Sequence, residues 1–225
     1  LAVAIMVREK IALYLAMTAP INKSKTNMIR PAQKTDSLSL AKLHLETLTS
    51  SFLASLGISF LDQLYVFLIR NEKVWVYEEN NEIKGFVSYS GNSSGMMKRF
   101  IIHCPGCLML LAIKTLTKPA LIGRFLETFR APSKSQDNNH SIFLPSGELL
   151  SISVSPNCQA TGIGSQLVKT LEDYLLQNQI LSYKVVAGEE LIGANKFYTK
   201  NGFMLVMQIR IHGDKLSNVY VKEIR

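Results

Sequence analysis

The residues best suited to chemistry lie between residues 150 and 165, where a strand pattern gives way to two glycines and a helix pattern. Apolar residues and serines alternate from 150 to 154, Pro156 ends this stretch, and Gly162 and Gly164 flank Ile163, where a helical stripe begins. Glycines let a backbone approach a ligand without Cβ clashes, and the free N–H groups at a helix N-terminus attract anions. The segment predicts a pyrophosphate-binding loop or, alternatively, an ordinary strand-to-helix connection with two glycines.

Two common nucleotide-binding motifs do not fit these glycines. Leu167 stands where the dinucleotide-binding fingerprint needs its third glycine, and no Gly-Lys-Ser/Thr follows to make a P-loop. The chain has 25 Lys and Arg against 17 Asp and Glu, a formal charge of +8, which favours an anionic partner. Because the basic residues are scattered and no array of stacking aromatics accompanies them, we do not expect nucleic-acid binding.

The segment resembles the acetyl-CoA signature of the GCN5-related N-acetyltransferase (GNAT) superfamily. That signature is Q/R-x-x-G-x-G/A after a strand ending in V-x-P, and here Gln159-x-x-Gly162-x-Gly164 follows the strand-like run 150–156. A second block, residues 194–203, resembles the family's A-x-x-x-Y-x-x-x-G-F segment. The resemblance implies an N-acetyltransferase that transfers acetyl from acetyl-CoA, its co-substrate, directly to a primary amine, with no metal.

The resemblance also implies where the cofactor binds. The amides of residues 159–164 would hold the pyrophosphate, and the backbone around residues 152–154 would pair with the pantetheine arm like an added strand. The implied cofactor-binding residues are Ile152, Ser153, Val154, Gln159, Ala160, Thr161, Gly162, Ile163, Gly164, Ser165, Asn195 and Tyr198.

Tyr198 and Glu148 are the candidate catalytic residues. The resemblance places Tyr198 near the cofactor sulfur, where a tyrosine hydroxyl suits protonation of the leaving thiolate; the alternative is a core aromatic on a helix. An amine with a pKa near 10.4 is protonated at pH 7, which costs about 4–5 kcal/mol before attack, so a base would help. Glu148 starts the strand that leads to the loop, where some relatives place an acidic base; the alternative is a solvated strand-end charge. Unlike many relatives, the chain has no Glu in 183–187 and has Leu191 in place of a frequent Asn.

The elements around these residues predict an α/β fold in the order β-α-α-β-β-(insert)-β-α-β-α-β-β. We expect a GNAT-like mixed, mostly antiparallel sheet flanked by helices, with a helical insertion before the cofactor-binding strand. Residues 1–27 are predicted to be an N-terminal extension and 28–225 a single N-acetyltransferase domain, with the insertion at 92–145.

The predicted insertion combines apolar residues with a basic rim, and we expect it to lie beside the acceptor site. The rim consists of Lys98, Arg99, Lys114, Lys118, Arg124 and Arg130. It favours an acceptor that carries phosphate or carboxylate, such as a nucleotide-linked amino sugar. The alternatives are a peripheral contact with anionic lipid and a solvated lid that does not touch the acceptor.

The chain has three cysteines, an odd and small number that favours a cytoplasmic location. Cys104-Pro-Gly-Cys107 resembles a redox motif, but no βαβ unit surrounds it, so we interpret it as chance. His44, like the other histidines, is assigned no role. Two further functions fit the same residues: a non-catalytic acyl-CoA-binding module, and an acyltransferase associated with a membrane surface.

Overall fold

The computed structural model describes residues 27–49, 51–104, 106, 144–210 and 215–224. Within them, one seven-stranded sheet has the order β1-β2-β3-β4-β5-β7-β6. The strands are β1 (Asn27–Pro31), β2 (Lys73–Glu79), β3 (Glu82–Ser90), β4 (Glu148–Val154), β5 (Ser182–Gly188), β6 (Met204–Arg210) and β7 (Leu216–Glu223). Neighbouring strands are antiparallel except β4 and β5, which run parallel. The predicted mixed, mostly antiparallel sheet is confirmed.

The helices of the described residues follow the predicted order along the chain. They are α1 (Ser37–Thr47), α2 (Phe52–Ser55), α3 (Ile58–Asn71), α4 (Met96–His103), α5 (Ile163–Gln177) and α6 (Ile192–Lys200). The single turn of α2 lies between the two long helices α1 and α3. None of these helices is long and apolar enough to cross a bilayer.

The sheet separates two apolar cores because its strands alternate side chains between opposite faces. On β2, Val74 and Val76 contribute to the core formed with α1, α3 and α4, whereas Trp75 and Tyr77 contribute to the core formed with α5 and α6. The helical stripe that begins at Ile163 in the sequence packs on the second face. Five of its members are buried, namely Ile163, Leu167, Val168, Leu171 and Leu175, and the sixth, Tyr174, is half-buried against the same core. Helices thus cover the sheet on both sides, as the α/β pattern predicts.

The described part of the insertion is built into the first core. Phe100 of α4 is fully buried, with its ring centroid 5.4 Å from that of Phe60 and 5.5 Å from that of Phe67. Arg99, assigned from the sequence to a free basic rim, donates from its guanidinium to Glu72 at 2.9 Å and to the Asn92 carbonyl at 2.9 Å. The Arg99 charge therefore holds α4 against Glu72, at the end of α3.

The other predictions for the insertion fall largely outside the described residues. Lys114, Lys118, Arg124, Arg130 and Cys107 all lie outside them, as do residues 1–26 of the predicted extension. Cys104 is disulfide-bonded, whereas Cys158 is a free thiol. The domain boundaries, the placement of the insertion beside an acceptor and the cellular compartment stay predictions.

Candidate active site

The two central strands part in the middle of the sheet. β4 and β5 pair only at Glu148 with Lys184 and at Leu149 with Val185. On its other side, β5 pairs with β7 along its whole length, and β4 pairs with β3 in the same way. From Leu150 to its end, β4 has no strand partner on its β5 side, so its main-chain groups face a cleft where an extended ligand can pair with them.

A β-bulge in β4 lies where β4 separates from β5. The β3–β4 register shifts between Ser88, which faces Ser151, and Tyr89, which faces Leu149. Leu150 is therefore an extra residue on β4, and a bulge of this kind bends a strand away from its neighbour. The sequence shows only an alternation of apolar residues and serines here, which does not reveal the bulge.

The loop that follows β4 leads directly to an uncapped helix N-terminus. The Gln159 side-chain amide donates to the Val154 carbonyl at 3.2 Å, and the Thr161 hydroxyl donates to the Cys158 carbonyl at 2.6 Å. Gly162 has a φ of 89° and occupies the N-cap of α5, where it offers no side-chain acceptor, and the first turn carries no acidic residue. The first N–H groups of α5 are therefore available to an anion.

The residues of this loop differ in what they present. Residues 159–162 are exposed, whereas the Ile163 side chain is buried in the core, so only its amide faces the loop. Ser153 is also buried, and its hydroxyl is hydrogen-bonded to that of Thr47 in α1. Ile152 and Val154 are half-buried and pack at the edge of the second core. The Ser153 and Ile163 side chains are therefore held inside the protein.

Gly164 joins the loop to α6. A Cβ at this position would lie 3.0 Å from the Phe197 ring and 3.8 Å from a methyl group of Val154. The glycine permits the close approach of α5 to α6 beside β4. Phe197 immediately precedes Tyr198, so this contact brings the second sequence block against the first.

Tyr198 lies in a cluster of aromatic rings and is 6% exposed. Its ring centroid is 5.4 Å from that of Phe203 and 5.8 Å from that of Tyr220. Burial, and secondarily Tyr220, raises the pKa of Tyr198 well above its usual range. The hydroxyl therefore keeps its proton at neutral pH, which a proton donor requires.

Asn195 anchors α6 through both ends of its side-chain amide. The nitrogen donates to the carbonyls of Gly188 at 2.9 Å, Leu191 at 2.9 Å and Glu189 at 3.1 Å. The oxygen accepts from the amide of Asn218 at 3.0 Å and the hydroxyl of Tyr220 at 2.9 Å, both in β7. Both polar atoms of Asn195, which the sequence analysis expects to bind the cofactor, are thus hydrogen-bonded to other protein groups. The sequence analysis did not identify Asn218 and Tyr220 as partners of Asn195. The one indication in the sequence is a polar residue, Asn218, beside the apolar Val219 in this strand.

Glu148 lies at the closed end of the cleft, where β4 and β5 still pair. Its carboxylate is 3.7 Å from the ammonium of Lys184, which also donates to the Pro145 carbonyl at 2.6 Å. Both side chains are half-buried. Among the described residues, no group of three or more His, Cys, Asp and Glu side chains is arranged to hold a metal ion.

The comparisons with known proteins agree with this geometry. Residues 131–203 match the family model described as Acetyltransferase (GNAT) family. The fold is similar to a crystal structure of Ard1 from Thermoplasma volcanium, with a TM-score of 0.55, 13% identity and coverage of 88% of this chain and 98% of that one. An N-acetyltransferase from Staphylococcus aureus Mu50 has a TM-score of 0.55, 18% identity and coverage of 87% and 100%.

A third similar structure is PaiA N-acetyltransferase from Thermoplasma acidophilum in complex with coenzyme A, with a TM-score of 0.52, 12% identity and coverage of 88% and 99%. A search of curated proteins finds no match. The match over residues 131–203 includes both the loop before α5 and the strands β4 and β5 that separate beside it. The chain thus matches the GNAT acetyltransferase family model over residues 131–203 and has the fold of the similar acetyltransferase structures.

Proposed function

We propose that this protein is an acyl-CoA-dependent N-acyltransferase that transfers acetyl from acetyl-CoA directly to a primary amine. The observation that carries the proposal is the unpaired edge of β4, which ends at a loop with an uncapped helix N-terminus. An unpaired strand edge suits the amide-bearing pantetheine arm, and free N–H groups suit a pyrophosphate. The strand edge and the helix N-terminus follow one another along the chain, from Val154 through the loop to Gly162, as a single extended cofactor requires.

In this proposal the main chain holds the cofactor. The edge at Ile152, Ser153 and Val154 pairs with the pantetheine amides, and the loop amides from Gln159 to Ser165 hold the pyrophosphate. The Gln159 side chain supports the loop by its bond to the Val154 carbonyl. Because the binding groups are backbone atoms, the loop tolerates varied side chains but depends on its glycines.

The transfer consists of one addition and one elimination. The neutral amine nitrogen attacks the thioester carbon, the carbon–sulfur bond then breaks, and the nitrogen loses a proton. Tyr198 supplies the proton that the departing thiolate takes, because a tyrosine hydroxyl is protonated at neutral pH. Glu148 is the candidate acceptor for the amine proton, with its carboxylate beside Lys184 at the closed end of the cleft.

The acceptor is proposed to be a small molecule with a primary amine. An anionic acceptor, such as a nucleotide-linked amino sugar, and a peripheral membrane contact both derive from the basic insertion. Of its rim, Lys98 and Arg99 lie in α4 of the described residues, and Arg99 is already bound to Glu72. The acceptor panel in the test below therefore includes neutral as well as anionic amines.

The test separates binding from turnover. Acetyl-CoA and CoA are titrated into the protein by calorimetry, and release of free CoA is then followed with polyamines, amino sugars, nucleotide-linked amino sugars, peptide N-termini and lysine. Saturable binding with acceptor-dependent CoA release supports the proposal. Binding without turnover on any amine identifies a non-catalytic module, and absence of binding overturns the assignment of the loop. Flotation with anionic liposomes reports separately on membrane association.

A further inference from the structure

The hydroxyl of Tyr198, the proposed proton donor, makes no hydrogen bond with any other residue that the structure describes. Its position is therefore set by helix α6 and by the packing of its own ring. Three aromatic rings surround it, with centroid distances of 5.4 Å to Phe203, 5.5 Å to Phe197 and 5.8 Å to Tyr220. A group that fixes one of these rings also restricts where the Tyr198 hydroxyl can lie.

Tyr220 is the one of these three neighbours whose ring carries a hydrogen-bonded group. It is 4% exposed, and its hydroxyl donates to Oδ1 of Asn195 at 2.9 Å. The buried amide of Asn218 donates to the same oxygen at 3.0 Å. A phenol that is packed along its ring and hydrogen-bonded at its tip has little freedom to tilt. Asn195 therefore fixes the ring of Tyr220 beside that of Tyr198.

Asn195 is itself fixed to the strand that borders the cleft. Its Nδ2 atom donates to the carbonyls of Gly188 at 2.9 Å, Leu191 at 2.9 Å and Glu189 at 3.1 Å. Gly188 is the last residue of β5, the strand from which β4 separates. The two hydrogens of the amide are shared among these three carbonyls, and both lone pairs of its oxygen are used by β7. Asn195 thus joins the end of β5 to β7 and has no polar atom left for a ligand.

Measured contacts therefore lead without a gap from the cleft strand to the proposed donor. The Gly188 carbonyl binds the Asn195 amide, the amide binds the Tyr220 hydroxyl, and the Tyr220 ring packs against Tyr198. Asn195 also precedes Tyr198 by three residues on α6, so the two side chains belong to neighbouring turns of one helix. The same residue holds the helix that carries the donor and the ring that packs on it.

We propose that Asn195 positions the proton donor Tyr198 by holding the ring of Tyr220 against it. This inference rests on the proposed N-acyl transfer, in which Tyr198 gives a proton to the departing thiolate. Asn195 and Tyr220 are positioning residues, because neither of them exchanges a proton in the transfer. Without the amide, Tyr198 stays on α6 but loses the neighbour that fixes its direction. A displacement of about 1 Å in a catalytic group can cost on the order of 10²-fold in rate.

The first test is a double-mutant cycle. Asn195→Leu replaces the amide by an apolar group of similar size, and Tyr220→Phe keeps the ring and removes its hydroxyl. Each change is made in the wild-type protein and in Tyr198→Phe. Asn178→Leu is the matched control, because its amide likewise donates to the carbonyl four residues earlier, that of Tyr174 at 2.8 Å, but at the C-terminal end of α5. For each variant kcat, acetyl-CoA Kd and thermal unfolding are measured.

We expect Asn195→Leu to lower kcat by about 10-fold or more and Tyr220→Phe by about 3-fold to 10-fold, with acetyl-CoA Kd unchanged. In Tyr198→Phe the same changes should lower kcat by less than about 2-fold, because the donor that they position is already absent. Asn178→Leu should keep the wild-type kcat. Equal losses in both backgrounds, as a purely structural role requires, overturn the proposal, and so does a raised acetyl-CoA Kd with an unchanged kcat. Tyr220→Phe, which removes a single oxygen atom, supplies the same comparison if Asn195→Leu does not fold.

The second test does not depend on turnover. The chain has 8 tyrosines, and after incorporation of fluorotyrosine the fluorine NMR signal of Tyr198 is identified by its loss in Tyr198→Phe. This signal should shift in Asn195→Leu and stay in place in Asn178→Leu. An unshifted Tyr198 signal in folded Asn195→Leu overturns the proposal. A wild-type protein that turns over no amine defeats the proposed function instead, and the fluorine signal then still decides whether Asn195 holds the ring of Tyr198.

Discussion

At the scale of single residues, Tyr198 is both a buried core residue and the proposed proton donor. Its ring packs against Phe203 and Tyr220 as a core residue does, yet it belongs to the helix whose Phe197 contacts the cofactor-type loop. Burial raises the pKa of Tyr198, which makes the phenol a weaker acid than an exposed tyrosine, although both are protonated at neutral pH. An experiment on Tyr198 must therefore distinguish the contribution of its ring to packing from that of its hydroxyl to proton donation.

Tyr198→Phe should lower kcat by about 10²-fold or more while leaving acetyl-CoA affinity nearly unchanged. Phenylalanine keeps the ring contacts and removes only the proton donor. Steady-state kinetics and calorimetry measure the two effects. Tyr77→Phe, at another buried tyrosine on β2, is the matched control and should keep wild-type kinetics. An unchanged kcat in Tyr198→Phe would assign the residue to packing alone.

Glu148→Gln should lower the rate most at low pH and progressively less as the pH approaches the pKa of the acceptor amine. A base matters most where the free amine is scarcest, because deprotonation at pH 7 costs about 4–5 kcal/mol for an ordinary alkyl amine. The kcat/KM for the acceptor, measured across pH, gives the profile. A loss of equal size at every pH, or no loss, would remove Glu148 from the role of base.

At the scale of elements, the site depends on how closely α5 approaches α6 beside β4. Gly164 permits this approach, since a Cβ there would meet the Phe197 ring at 3.0 Å. Asn195 fixes the other side of α6 to the end of β5 and to β7. The two contacts hold α6 from two sides, so the position of Tyr198 follows from both.

Gly164→Val should abolish acetyl-CoA binding and leave the fold largely intact. The added methyl groups would push the Phe197 ring and α6 away from α5 beside Val154, at a cost of about 1–3 kcal/mol in stability. Calorimetry with acetyl-CoA and thermal unfolding measure the two effects. Gly91→Val is the control, because nothing lies within 4 Å of a Cβ there. Wild-type affinity in Gly164→Val would show that the loop does not hold the cofactor.

At the scale of the whole molecule, one of the two apolar cores encloses a hydrogen-bonded pair of polar side chains, His44 and Tyr65. The core formed with α1, α3 and α4 is lined by leucine and phenylalanine, yet it surrounds His44 and Tyr65. Their hydrogen bonds satisfy both side chains, which removes most of the penalty of burying them. The neutral imidazole nevertheless makes the stability of the fold depend on pH.

The free energy of unfolding should fall as the pH drops from about 6.5 towards 4, because an unfolded His44 binds a proton that the folded one excludes. The folded-state pKa is lowered from 6.5 to about 4, so the unfolded chain carries more protons in this window and the loss approaches ~3 kcal/mol at its lower end. Urea unfolding of the wild-type protein and His44→Gln at pH 7, 6 and 5 measures it. The stability gap between them should narrow with acid; a constant gap would contradict the assignment.

The sequence by itself determined the features that depend on near neighbours. The alternation in β4, the glycines before α5 and the stripe on that helix are local patterns, and the element order follows from such patterns. The mostly antiparallel sheet was expected from the family resemblance. Such patterns are visible because strand and helix periodicities are properties of a few consecutive residues. The cofactor-type loop was identified for the same reason.

Only the tertiary structure decided the contacts between distant parts of the chain. Thr47 meets Ser153 across 106 residues, and His44 meets Tyr65 across 21. The bulge at Leu150, the packing of α4 and the closeness of Gly164 to Phe197 likewise depend on strand register and on which surfaces meet. A one-residue change in register turns every side chain of a strand to the opposite face. Local composition does not encode such contacts one by one, because they form only when the whole sheet and its helices pack together.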